Sequence, residues 1–340
     1  MVKIGLIAFT LMISISSRLL NPKHVLHESQ FNLWLEEHNI NISASGDYNY
    51  RMKVFSSNFE MIEKHNNSGS TYTLGLNKFA HLTFQEFASM YLNTSDFKPV
   101  EDGKNNYIHG GNNGMPNVNS KYVNWVQKDK VTPVENQREC GSCYAFASVG
   151  AVESYHAIYN DPSNKPPVLS KQHMVDCGRS KMYILNGCQG GNPEHAFKFL
   201  KSEGTILDKL YPYLGYRDTC HSDIEKFTYI RDYEIIRPGA NNLLEAVEKR
   251  PVMIGFEMTP SLVFFRSGIY QTFAPCGFSK NHAVLVVGYN LEDEIPHYII
   301  KNSYGTSWGD EGYFKVAIGK YDSTGMCLLA NGEAYAPTIN

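Results

Sequence analysis

Asn136-Gln-Arg-Glu-Cys-Gly-Ser-Cys-Tyr-Ala-Phe146 is the stretch of this 340-residue chain from which both fold and chemistry are read. Beyond it, Phe146, Val149, Val152, His156 and Tyr159 recur at helical spacing, while Ala147, Gly150, Ala151 and Ser154 form a small-residue face. The spacing predicts a helix beginning at Cys143. The unpaired N–H groups at a helix N-terminus favour an anion, which makes Cys143 a candidate thiolate nucleophile. Gln137, six residues upstream, reaches the same point, and its amide is a candidate oxyanion donor beside the Cys143 N–H.

A thiolate needs a base, and the base needs an orienting group. His282 stands in Ser279-Lys-Asn-His-Ala-Val-Leu-Val-Val-Gly-Tyr289, directly before a β-branched run that reads as a buried strand. Asn302 ends a second such strand, in Tyr298-Ile-Ile-Lys-Asn-Ser-Tyr-Gly305. Its carbonyl would orient the imidazole without adding a full charge. The spacing of Cys140 and Cys143 alone also fits a redox motif or half a zinc site, but neither reading finds companion residues.

Together, Cys140-Gly-Ser-Cys-Tyr144, His282 and Asn302 resemble the papain family of cysteine proteases, and the resemblance covers almost the whole chain. It implies an α+β, two-lobed fold with the cleft between a helical lobe (about 129–228) and a β-barrel lobe (about 119–128 and 229–340). Cys143 would attack a peptide carbonyl, His282 carry the proton, Asn302 orient it and Gln137 bind the oxyanion. This chemistry calls for no cofactor and no metal. Seven cysteines in a secreted chain point to three disulfides and one free thiol, in any of 15 pairings. The resemblance implies Cys140 with Cys188, Cys177 with Cys220 and Cys276 with Cys327, leaving Cys143 free.

The motif Cys188-Gln-Gly-Gly-Asn-Pro193 reads as the opposite cleft wall, where consecutive glycines admit a peptide backbone. By resemblance, Gly141, Gly190 and Gly191 line the first substrate subsite. Asn192, Pro193 and Gly332 border the second, and Trp308, retained from the family pattern, counts among the substrate-binding residues. Glu333 either turns into the second subsite or is solvated, and the solvated reading is preferred because charged residues are seldom buried unpaired.

Residues 1–17 carry Lys3 and an apolar run too short to span a bilayer, which reads as a signal peptide. Residues 18–97 read as a prodomain, polar and helical from Phe31 to Phe97. Asp47, Arg51, Phe55, Asn58, Ile62 and Asn66 fall on one side of a single helix that ends at Asn67-Ser-Gly69. This stripe, the packing pair Phe31 and Trp34, and Gly75-Leu-Asn-Lys-Phe-Ala-His81 resemble the inhibitory propeptide of cathepsin L-like enzymes. Residues 98–118, rich in Asn and Gly, read as a linker holding the maturation site. Four residues depart from the family pattern: Asp47 where it has Glu, His81 where it has Asp, and Tyr144 and Tyr304 where it usually has Trp. Tyr304 is expected to leave the His282–Asn302 pair wetter.

The formal net charge of −3, without a basic cluster, argues against nucleic acid as a partner. The expected product is a monomeric endopeptidase zymogen of the secretory pathway, lysosomal, vacuolar or extracellular. It would act on protein and peptide substrates, be held by its own propeptide and carry no membrane anchor. The competing readings are a binding or adhesion protein on the same fold, and an inhibitor of other proteases.

Overall fold

The computed structural model describes residues 22–42, 45–92, 118–179, 182–272, 276, 279–319 and 325–338. The expected signal peptide and nearly all of the expected linker lie outside them.

The N-terminal part is built on two helices, α1 (Pro22–Glu37) and α2 (Ser45–Asn66). Each residue of the predicted α2 stripe has a partner. Phe55 and Ile62 are buried, and Phe55 lies 5.1 Å from Phe31 and 5.5 Å from Trp34 between ring centroids. Arg51 bonds Asp47 at 3.4 Å and Glu86 at 2.9 Å. The Asn58 amide donates to Ala80 O and Leu82 O at 2.9 and 3.0 Å. Asn66 donates to Leu74 O and accepts from Leu74 N, both at 2.9 Å. The spacing therefore encodes two jobs, an aromatic core and amide clamps that fold the following loop back onto the helix.

After the loop come a short strand, β1 (Tyr72–Leu74), and helix α3 (Phe84–Tyr91). Thr83 and Glu86 close a capping box at the start of α3, which satisfies donors that a short helix would otherwise leave open.

The helical lobe centres on α4 (Cys143–Tyr155), which is buried along its whole length and continues as a π-helical turn, His156–Asn160. A helix apolar on every side must be enclosed. Helices α5 (Lys171–Cys177) and α6 (Pro193–Ser202) pack against it. The β lobe comprises β2 (Tyr122–Asn124), β3 (Tyr233–Ile236), α7 (Ala240–Lys249), β4 (Val252–Phe256), β5 (Phe265–Tyr270), β6 (His282–Asn290), β7 (His297–Lys301), β8 (Tyr313–Ala317) and β9 (Ala334–Pro337).

Among the described residues the strands run β1-β5-β8-β7-β6-β4-β9-β3, with β2 also on β6. This corrects the expected closed barrel. The outer strands β1 and β3 do not meet, and β5 lies parallel to β8 in an otherwise antiparallel sheet. One edge is lent by the N-terminal part, whose β1 pairs with β5 with Tyr72 opposite Gly268. Gly268, at φ 92°, permits that approach, since a Cβ there would stand 2.5 Å from Thr71 O.

Strand β6 is buried at every position but its last, with α4 and α7 both packed against it. That explains its unbroken apolar run. The three disulfides join Cys140 to Cys188, Cys177 to Cys220 and Cys276 to Cys327, leaving Cys143 free.

Candidate active site

Cys143 is the first residue of α4 and is fully buried. Ala283 N, at the second position of β6, donates to its sulfur at 3.4 Å. The helix start of one lobe thus meets the strand start of the other.

His282 opens β6, and its Nε2 lies 2.8 Å from Asn302 Oδ1, just past the end of β7. Asn302 Oδ1 also accepts from Ser303 N at 2.8 Å, which fixes the amide with its oxygen toward the ring. A carbonyl oxygen only accepts, so the proton is assigned to Nε2 and Nδ1 presents a lone pair. Burial drives the imidazole pKa down to about 4, against the opposing effect of the Asn302 bond. The ring is therefore neutral in this state.

Gln137 is buried, and its amide nitrogen donates to Cys140 O at 2.7 Å and to Tyr91 O at 2.8 Å. Its oxygen accepts from Ser303 Oγ. The second of these acceptors is the telling one, because Tyr91 ends α3 of the N-terminal part. A backbone carbonyl of the chain's own leader occupies the hydrogen-bond donor expected for an oxyanion.

Leu92 follows into the same place: a Cβ on Gly141 would stand 2.8 Å from Leu92 O and 2.7 Å from Cys188 O. Lys78 anchors the leader beside it, donating to Tyr304 O at 2.9 Å and to Asn136 Oδ1 at 3.3 Å. The described leader thus covers Gln137, the candidate oxyanion donor, and Gly141 of the glycine wall together, two residues from the buried Cys143.

Tyr304 is fully buried, stacked on His282 at 5.0 Å and 22°. Phe79, Phe87 and Tyr91 of the leader meet it edge-on, as does Trp308 from below. In the zymogen His282 and Asn302 are buried beneath the leader's aromatic rings, so the wetter pair expected from Tyr304 is a property of the enzyme without its leader.

The remaining predicted wall residues divide. Gly190, at φ 103°, holds a conformation that only glycine adopts readily. Gly191 serves packing, since a Cβ there would meet the Tyr144 ring at 2.9 Å. Asn192 caps α6, accepting from His195 N at 3.2 Å, and Pro193 follows at the helix start. Trp308 is 1% exposed and gives its indole N–H to Val263 O at 2.9 Å, so it supports Tyr304 from the core and presents no open surface.

Gly332 O accepts from Lys280 Nζ at 2.6 Å, and Lys280 pairs with Glu333 at 3.1 Å. Glu333 is 9% exposed, so the solvated reading is corrected. Burial raises its pKa against the opposing Lys280 charge. The expectation failed because Lys280, its partner, lies 53 positions away and carries no local signal. Ser303 was missed as well, though it adjoins Asn302, and Tyr213, whose hydroxyl donates to Gln137 O at 2.7 Å, has no sequence signature.

Comparison with known proteins agrees along the length of the chain. The family model described as papain family cysteine protease matches residues 119–337, and that of the cathepsin propeptide inhibitor domain matches residues 31–87. The chain is 36% identical to pro-cathepsin H of Bos taurus over 90% of its own length and 88% of the relative's. It is 35% identical to thiol protease aleurain of Arabidopsis thaliana over 95% and 87%. Among solved structures, digestive procathepsin L2 from Tenebrio molitor larval midgut superposes with a TM-score of 0.80 at 27% identity, covering 92% of this chain and 100% of that one. The ragweed pollen allergen Amb a 11 cysteine protease in its proform gives 0.77 at 30% identity, over 92% and 95%. With a leader lying across a buried cysteine and a neutral histidine, this chain belongs to the papain family of cysteine proteases and is the zymogen form, its cathepsin-type propeptide in place.

Proposed function

We propose that this protease is an endopeptidase in which Cys143 is the nucleophile, His282 the proton carrier, Asn302 its orienting group and Gln137 the oxyanion donor. The observation that carries the assignment is the meeting of Cys143 at the start of α4 with β6, where His282 is already held on Asn302 at 2.8 Å. Once the leader has gone, water re-enters and the burial that keeps His282 neutral is relieved. Proton transfer from the thiol to Nδ1 then gives thiolate and imidazolium. The thiolate bonds to the peptide carbonyl carbon, and charge on the oxygen is met by Gln137 Nε2 and the Cys143 N–H. Imidazolium protonates the leaving amine as the C–N bond breaks. Water, giving its proton to His282, cleaves the C–S bond and releases the acid.

Maturation is assigned to residues 98–118, and the mature enzyme to a monomer. The family and three disulfides point to the secretory route, lysosomal, vacuolar or extracellular. No helix among the described residues is long and apolar enough to cross a membrane. Cys143→Ser in the full chain tests the assignment. It should fold with three disulfides and neither process itself nor cleave casein, whereas turnover near the parent's would place the nucleophile elsewhere. Release of terminal dipeptides alone by the parent would exclude internal cleavage.

A further inference from the structure

The Tyr304 hydroxyl lies 3.5 Å from His282 Nδ1, at the outer limit of a hydrogen bond, on the nitrogen that Asn302 leaves free. Within the protease part itself, Tyr304 is stacked on the imidazole at 22° and backed edge-on by Trp308, contacts that do not depend on the leader; Phe79, Phe87 and Tyr91 close over it in the zymogen. Burial holds the phenol well above its ordinary pKa, so it stays protonated and able to donate.

The titratable groups around the pair are Cys143 from α4, Tyr91 from α3 and Lys78, whose ammonium bonds Tyr304 O. Of the nearby aromatic rings, Trp308, Phe79 and Phe87 bring no titratable group. No hydrogen-bonded carboxylate holds the imidazole; its partner is the neutral amide of Asn302.

We infer that Tyr304 is a positioning residue of the reaction, its hydroxyl donating to the Nδ1 lone pair and competing there with the Cys143 thiol for the same acceptor site. The inference rests on the assignment of Cys143 and His282 made above. A donor to that lone pair favours the neutral ring, because imidazolium carries a proton at Nδ1 and accepts nothing. Tyr304 therefore biases the pair toward thiol and neutral imidazole and raises the pH at which thiolate forms. The proton transfer breaks the Cys143 S–H bond and forms the Nδ1–H bond of the imidazolium, while the tyrosine hydroxyl keeps its own proton and is only displaced from the lone pair. An indole or a phenyl ring at this position would stack equally well without the competition.

The test uses enzyme matured from the full chain and two variants, Tyr304→Phe and Tyr304→Trp, each lacking the hydroxyl but keeping an aromatic ring. The rate of alkylation of Cys143 by iodoacetamide is measured from pH 3 to pH 9, alongside the acid limb of kcat/KM on a peptide substrate. Both variants should move both profiles to lower pH by roughly half to one unit, the size given by one neutral hydrogen bond. Profiles that superpose on the parent's, or that move to higher pH, overturn the inference. A uniform loss of rate without displacement assigns Tyr304 to packing alone and also overturns it. Two independent variants guard against one failing to fold. If the parent's own Cys143 is alkylated with the profile of an ordinary thiol, the catalytic assignment fails first; a low-pH thiolate in the parent with unmoved variants defeats only the role of Tyr304.

Discussion

Acid should loosen the propeptide through His81, and the size of the effect is set by where that residue sits. His81 is half-buried against Trp34, with ring centroids 5.1 Å apart, and its Nδ1 is buried without a hydrogen-bond partner. The groups facing it are Arg51 and Asp47 from α2, Glu86 from α3 and the Lys78 backbone. Burial first, then the Arg51 charge, lowers its pKa from 6.5 to about 4, against smaller opposing effects from Glu86, Lys78 and Asp47.

Because the docked pKa lies below the undocked one, the loosened propeptide binds the proton first. Stability conferred by neutral His81 is whole above pH 6.5 and is lost as pH falls toward 4. The distance from 6.5 to about 4 is worth about 3.4 kcal/mol at 1.36 kcal/mol per pH unit. Solvent screening at a half-exposed site reduces this to roughly 1 to 2 kcal/mol. At pH 5 about 1 kcal/mol should remain in play, close to a fivefold change in the open population. His81→Asn stays neutral at every pH and removes that contribution. Purified parent and variant zymogens should therefore be followed by gel for release of the mature enzyme between pH 7 and pH 4. The variant should show roughly fivefold less acceleration at pH 5, relative to its own neutral rate. Equal acceleration in both would remove His81 from the trigger, and processing fastest at neutral pH would remove the acid trigger itself.

Gln137→Ala should cut kcat of the matured enzyme by roughly tenfold to a thousandfold with little change in KM. The same variant loses the bond to Tyr91 O, so added propeptide should inhibit it several-fold more weakly; a change in KM alone would make Gln137 a substrate contact. Asn58→Ala strands the carbonyls of Ala80 and Leu82 and should destabilise the propeptide by roughly 2 to 3 kcal/mol, read as processing at higher pH; an unchanged profile would mean that water replaces the amide. Lys280→Ala leaves Glu333 buried without its cation and should destabilise the mature enzyme by about 3 kcal/mol near neutrality, less at pH 4 where the carboxyl takes up a proton. Thermal melts at the two pH values measure that difference, and equal losses would show that Glu333 is not charged in the fold.

Local periodicity carried much of this architecture, and the reason is visible in which residues could be read. The start of α4, the buried run of β6 and the α2 stripe each encode their environment within a dozen positions, because one face or both must be buried. The four residues assigned to catalysis were legible as types and as neighbours of strand or helix ends. What stayed hidden were partners set by the folded topology: Lys280 for Glu333, Tyr213 for Gln137, and an open sheet completed at one edge by the propeptide's β1. The surroundings of Tyr304 in the zymogen have the same origin. Taken alone, a smaller ring beside His282 predicts more water, but Phe79, Phe87 and Tyr91 arrive from more than 200 positions upstream and close over it. It follows that the dryness of the histidine belongs to the zymogen, and that departure of one segment should uncover Gln137 and admit water to His282 in a single step. A propeptide that placed a carbonyl on Gln137 without covering Tyr304 would block substrate yet leave the imidazole free to charge. This one does both, so the occupation of Gln137 and the burial of the imidazole are linked through α3.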